Sequence, residues 1–295
     1  MTVAYPMMLD YGAGQPDGQG LSAFRTREPP RAAATEEVVT EVLTPVIVER
    51  VGGIQVISIN RPAARNALNL AVAEGIRDAV DDLDASEELH AGVLTGAGGH
   101  FSAGMDLKAF LRGEQPSFEG RGLCGITVTP PRKPLIAAVE GWALAGGFEL
   151  VLACDLVVAA ETARFGVPEV KRGLIAAAGA ALLLPQRIPR AIALEMLMTG
   201  EPIDARRAAE IGLVNRVAEP GGALSAAISL AQMIAANGPL AVRRTKEVAH
   251  AGTDWGTERG WEHQRPIIDE VFASADAAEG AAAFAEKRAP AWRGV

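Results

Sequence analysis

An α/β fold built on a parallel sheet, followed by a helical C-terminal region, is what the sequence predicts. Three observations carry that reading. Short apolar runs of strand length recur at Gly92–Thr95, Leu135–Val139, Leu156–Ala160 and Leu213–Val217. Helical patterns lie between them, as at Ala191–Met198 and Ala205–Ile211, and parallel strands need such crossovers. After Pro220-Gly221-Gly222 the chain reads as helix throughout. The implied unit is a β-β-α turn at uneven spacing, without a strict sequence repeat.

In chain order, residues 1–43 are rich in Gly, Pro and isolated charges and have no periodicity, so a flexible extension is expected there. Arg25, Arg27 and Arg31 cluster within it, but the intervening acids argue against a transit peptide. A core is expected over 44–222 and a helical region over 223–295. The core opens with VIVERVGGIQVISINRP, a hairpin turning at Gly52-Gly53. From Asn66 to Leu83, apolar residues at Leu68, Val72, Ile76, Val80 and Leu83 mark an amphipathic helix. The late helices are Leu224–Ala236, Pro239–Ala249, Trp261–Phe272 and Asp276–Arg288, suited to a lid, an oligomerisation element, or both.

Composition excludes several classes of function. With a net charge of −8 the 295-residue chain has no nucleic-acid footprint, so an anionic ligand needs a local basic cluster. Its two cysteines, Cys124 and Cys154, cannot make a disulfide framework and point to a reducing compartment. No apolar run reaches the ~18 residues of a membrane helix, and the start lacks a signal-peptide pattern. A soluble cytoplasmic protein without a membrane partner is expected.

The stretch Pro134–Ala180 concentrates the chemistry. A helical pattern opens at Ala145-Gly146-Gly147 and carries Glu149 in an apolar first turn; Glu169 follows Pro168 after the next strand. Burying an acid is costly unless it has a partner or a task. Upstream, FSAGMDLKAF places Gly104 before Asp106, which can cap a helix begun at Leu107. Helix starts near Met105 and Gly146 present N–H groups to an oxyanion. Two such donors on one oxygen stabilise an enolate, and two glutamates nearby can move its protons. Taken singly, each feature has an ordinary structural reading; the combination is much rarer. Ser102 is no hydrolase nucleophile, because position 100 of a G-x-S-x-G would be His. Neither a Walker motif nor a G-x-G-x-x-G after a strand occurs, and His100, His250 and His263 lack metal-ligand spacing.

The stretches INRPAARNAL, VLTGAGGHFSAGMDLKAF, KPLIAAVEGWALAGGFELVLACDLVVAAETARFGVPEVKRG, MTGEPIDARRAAEIGLVNRV and AFAEKRAPAW together resemble the crotonase (enoyl-CoA hydratase/isomerase) superfamily, over about Val46 to Arg293. The resemblance implies a crotonase-like spiral of β-β-α turns with a helical C-terminal region that builds homotrimers, often paired into hexamers. It implies an acyl-CoA thioester substrate and no metal or other cofactor, coenzyme A being part of the substrate. Met105 and Gly146 fall where the family's oxyanion-hole N–H groups lie. Glu149 and Glu169 fall where its hydratases carry two catalytic glutamates, the first activating water for attack at C3 and the second protonating C2. Substrate-binding positions fall on Arg65, Ala103, Lys108 and Lys287, with Arg65 standing in for a lysine that Ala63 replaces. The stretches FSAGMDLKAFLRGE and AFAEKRAPAW are similar to carnitinyl-CoA dehydratase-like members.

One departure bears on Glu169. Where hydratases carry a G-x-x-P-G-x-G-G turn, this chain has GLIAAAGA from Gly173 to Ala180. Alanine favours helix, so the next helix is expected to start early, altering the acyl pocket or tilting Glu169. Three readings follow. The first is an enoyl-CoA hydratase; the second, a dehydratase or isomerase on a substituted acyl-CoA; the third, a non-catalytic acyl-CoA binding protein.

Overall fold

The computed structural model describes residues 44–295; the extension expected over 1–43 lies outside the described residues. Strands β1 (Val46–Val51) and β2 (Ile54–Ile59) form the expected antiparallel hairpin, with Val51 opposite Ile54 and Val46 opposite Ile59. Helix α1 spans Leu70–Ala85 and buries Val72, Ala73, Ile76, Ala79, Val80 and Leu83, the face the periodicity predicted. It starts later than predicted, and the reason is local. Asn69 caps it by accepting the Val72 N–H, whereas Asn66 sits at φ 55°, outside helical space. Leu68 is buried outside the helix: its side chain belongs to the main core cluster, while its backbone bridges to Met105.

Strand β3 (Ala91–Gly96) leads to α2 (Leu107–Leu111), the two-residue strands β4 (Ser117–Phe118) and β5 (Gly122–Leu123), and then β6 (Leu135–Val139). Next come β7 (Trp142–Leu144), α3 (Gly146–Ala153), β8 (Leu156–Ala160) and β9 (Arg164–Gly166). Helices α4 (Ala180–Arg187) and α5 (Arg190–Thr199) precede β10 (Ile203–Asp204), α6 (Ala205–Glu210) and β11 (Arg216–Ala218). The main sheet has the order β1-β2-β3-β6-β8-β11, parallel from β2 onward. A second sheet, β10-β9-β7, carries the short strands. Two β-β-α turns give one strand to each sheet and then a helix, β6, β7 and α3 and then β8, β9 and α4, whereas β1 and β2 both join the main sheet.

Both faces of the main sheet are covered, so its strands read as continuous apolar runs. Ile54, Val56, Ala91, Val93, Ile136, Ala138 and Val158 face α7 (Ala223–Ala235), which inserts Ala227 and Ala231. Ile57, Ile59, Leu94, Ala137, Val139, Val157 and Ala159 face the larger cluster built with α1 and α3. Strand β11 begins later than the predicted Leu213–Val217. The Leu213 and Val214 amides turn back to the Ala208 carbonyl at 2.9 and 3.1 Å, closing α6 before pairing begins.

Helices α8 (Pro239–Trp255), α9 (Thr257–Phe272) and α10 (Ala275–Glu286) complete the chain. Gly256 at φ 69° separates α8 from α9, both of which extend beyond the predicted limits and bury no residue of their own. A polar clasp ties α8 to the sheet. Lys246 Nζ donates to Asp155 Oδ2 at 2.7 Å and to the Lys133 carbonyl at 2.9 Å, and His250 Nε2 meets Asp155 Oδ1 at 2.8 Å. Among the described residues no single helix is long and apolar enough to cross a membrane.

Candidate active site

Two loops meet to form the site. Asn66 accepts the Arg61 N–H through Oδ1 at 2.9 Å and donates through Nδ2 to the carbonyls of Ala97 (2.8 Å) and His100 (2.6 Å). Its positive φ suits Asn better than most residues. Arg61 ion-pairs with Asp106 at 3.0 Å, and Asp106 caps α2 by accepting the Lys108 and Ala109 N–H groups, the cap read from sequence. Backbone bonds finish the seam: Leu68 N–H to the Gly104 carbonyl, Asp106 N–H to the Leu68 carbonyl, and Ala103 N–H to the Arg65 carbonyl. Ser102 is a brace within this seam, its hydroxyl donating to the Asn66 carbonyl at 2.8 Å and accepting the Gly104 N–H at 3.2 Å.

The seam sets Met105 beside the start of α3. A Cβ added to Gly146 would lie 3.8 Å from the Met105 nitrogen, so the two amides are neighbours. Gly104, at φ +93°, makes the approach possible: a Cβ there would meet the Ala145 Cβ at 2.7 Å and the Gly146 nitrogen at 3.1 Å. Ala145 takes φ 51° and ψ −130°, held by its N–H bond to the Gly166 carbonyl at 2.9 Å. Among the described residues neither the Met105 nor the Gly146 N–H has a protein acceptor. The arrangement is two adjacent, unused donors at a helix start, the geometry of an anion site.

Glu149 lies in the first turn of α3 and is 4% exposed. Its Oε1 accepts the Ala178 N–H at 2.7 Å and the Ala180 N–H at 3.1 Å. Burial pushes its carboxyl above the ordinary range, and the amides of Ala180, Ala178 and Gly179 pull it part of the way back. Glu169 stands in the 3-10 turn Pro168–Arg172, and its buried Oε2 has no hydrogen-bond partner. Burial raises its carboxyl too; its own amide opposes this, the nearby Glu149 charge adds to it, and Arg172 opposes it. The two acids therefore feel each other. One is clamped by N–H donors that favour the carboxylate, and the other carries an unpaired oxygen that favours a proton.

The alanine run behaves differently from expectation. Helix α4 starts at Ala180, not earlier, with Gly179 at φ 128° before it. Residues 174–176 have no regular structure and 177–179 form a turn. The helix propensity of alanine loses because the Ala178 and Ala180 amides are committed to Glu149, and Gly179 occupies a conformation no helix contains.

Of the expected binding residues, Arg65 (φ 52°) and Ala103 sit on the seam, joined through their backbone. Lys108 is exposed on α2, next to the Asp106 cap. Lys287 caps α10 at φ 54°, and among the described residues no hydrogen bond or ion pair joins it to the others. Sequence reasoning missed Asn66, Arg61 and the two amides that hold Glu149; the polar residues of NRPAARNAL were the available signal. A cavity of about 1050 Å³ between α3, α4, α8 and residues 127–132 has neither Glu149 nor Glu169, and neither Met105 nor Gly146, in its lining.

Comparisons with known proteins agree with this architecture. The sequence model described as enoyl-CoA hydratase/isomerase matches residues 49–295. The carnitinyl-CoA dehydratase of Salmonella typhi is 41% identical over 253 residues, 83% of this chain and 97% of that protein. An enoyl-CoA hydratase structure from Mycobacterium marinum is 56% identical with a TM-score of 0.84, over 85% of this chain and all (100%) of that one. The structure of a carnitinyl-CoA hydratase from Mycobacterium avium is 44% identical with a TM-score of 0.68, over 85% and 99% of the two chains. The match over the whole described core makes this chain a member of the enoyl-CoA hydratase/isomerase family, with the crotonase fold.

Proposed function

We propose that the protein is an enoyl-CoA hydratase that adds water across the 2,3 double bond of an enoyl-CoA thioester. The observation that carries the proposal is the unequal treatment of the two acids. Glu149, held by two backbone donors, is the carboxylate that takes a proton from water as the oxygen attacks C3. Glu169, buried with an unpaired oxygen, is the acid that delivers a proton to C2. Each transfer is worth ~10²–10⁴ in rate. The Met105 and Gly146 N–H groups receive the thioester oxygen as it gains enolate charge, each worth ~10²–10³. Arg65, Ala103, Lys108 and Lys287 are the proposed contacts for the coenzyme A part.

The test follows the ultraviolet absorbance of the conjugated thioester, on crotonyl-CoA and then on longer and branched 2-enoyl-CoAs. Loss of absorbance is expected; no turnover of any unsubstituted ester would count against hydration. Identity with a carnitinyl-CoA dehydratase supports a second reading, dehydration of a substituted acyl-CoA with the same two acids. The non-catalytic reading rested on the alanine run, and that support falls away because the run supplies two donors to Glu149. Assembly into trimers or hexamers is part of the proposal, supported by α8 and α9, which bury nothing within the chain while Trp261 and Phe272 are 72% and 79% exposed.

A further inference from the structure

The turn that carries Glu169 also carries two adjacent cations with different fates. Lys171 is occupied on the surface, its Nζ 2.6 Å from Glu201 Oε1. Arg172 is exposed and, among the described residues, enters no ion pair or side-chain hydrogen bond. A 3-10 turn has three residues per revolution, so side chains at i and i+3 lie one above the other. Arg172 therefore stands on the same edge of the turn as Glu169, and its charge is felt at that carboxyl. Beyond the left-handed Gly173, Leu174 and Ile175 follow with 55% and 70% of their surfaces exposed. Among the described residues an unpaired guanidinium is thus followed, two and three positions along the chain, by apolar side chains that the protein core does not cover. In a chain of net charge −8, an anion is drawn in only by such a local cation.

We infer that Arg172 selects the acyl group, favouring 2-enoyl-CoA esters whose acyl chain ends in a carboxylate over those ending in a quaternary ammonium. The inference rests on the hydratase reading and names its substrate class. Leu174 and Ile175 offer contact to the methylene segment, and the guanidinium fork matches a carboxylate with two parallel N–H donors. A trimethylammonium group has no N–H to give and meets a like charge.

The test compares kcat/KM on three 2-enoyl-CoA esters of equal chain length, ending in methyl, carboxylate and trimethylammonium. It uses the full-length protein and its Arg172→Gln and Arg172→Glu variants. The expected wild-type preference for carboxylate over trimethylammonium is about tenfold, an electrostatic difference of ordinary size across a partly exposed site. Arg172→Gln is expected to abolish that ratio and Arg172→Glu to invert it. Because the readout is a ratio, a general loss of rate through Glu169 leaves it interpretable. A ratio unchanged in both variants, with the methyl ester still turned over, overturns the inference alone. No turnover of any ester by the wild type defeats the hydratase reading instead. The dissociation constants of the three saturated esters then decide: a charge order that follows residue 172 sustains the inference, and equal values overturn it.

Discussion

Glu149 Oε1 accepts the Ala178 N–H at 2.7 Å, so the first acid of the site is held by the turn that follows the second. The relationship couples α3 to the start of α4 and fixes Glu149 at one oxygen while leaving the other for chemistry.

Replacing either acid by its amide removes a proton carrier while keeping its shape. Glu149→Gln and Glu169→Gln are each expected to lower kcat by ~10²-fold or more with the fold intact by circular dichroism. A loss below tenfold at both positions in the absorbance assay argues for another proton route.

Glu169 also makes stability depend on pH. Its carboxyl lies above the ordinary value of 4.5 in the folded protein, chiefly through burial. A carboxyl raised on folding adds stability below its unfolded value, and that gain is lost as pH rises through the folded value. Gln does not titrate, so Glu169→Gln should melt above the wild type near pH 7, with the gap closing by about pH 4. Calorimetry across that range checks the sign; a constant gap contradicts it.

Gly104 is the close-packed point of the seam. Gly104→Ala sets a Cβ 2.7 Å from the Ala145 Cβ at a φ of +93°. About 1–3 kcal/mol of stability should be lost, with a fall in turnover because the Met105 amide moves. Unchanged urea unfolding and unchanged rate would show that the loop yields freely.

The clasp on α8 depends on a buried carboxylate. Despite burial, Asp155 is held below the ordinary 3.8 by His250, Lys246 and the Leu135 N–H. A carboxyl lowered on folding adds stability above its unfolded value and loses it as pH falls through the folded one. Asp155→Asn leaves the partly buried Lys246 without its counter-charge. Its cost should be ~3–5 kcal/mol at neutral pH, shrinking under acid. Equal melting temperatures at pH 7 count against the clasp.

The α8–α9 pair predicts assembly. Light scattering on the full chain is expected to give a mass that is a multiple of three chains. A monomer at micromolar concentration refutes the trimer.

Legibility from sequence followed the range of the forces involved. Strands β6 and β8 appear where the apolar runs placed them, and the Asp106 cap formed as read, because both depend on neighbours a few residues away. Strands β7 and β9 have three residues each, too few to show a period, and pair only with one another and β10. Leu68 continued the α1 periodicity while lying outside the helix, its backbone bridged to Met105, a pairing sequence spacing does not reveal. At the site, residue types were readable, but the amides of Ala178 and Ala180 have no side-chain signature.

That last fact has a consequence for how the turn can vary. Its two hydrogen bonds to Glu149 are spelled in main chain, not in side chains, so most substitutions at 178 leave them written. Ala178→Pro, which deletes the N–H, erases one. In this chain the turn needs neither Pro nor a run of glycines to present those two donors.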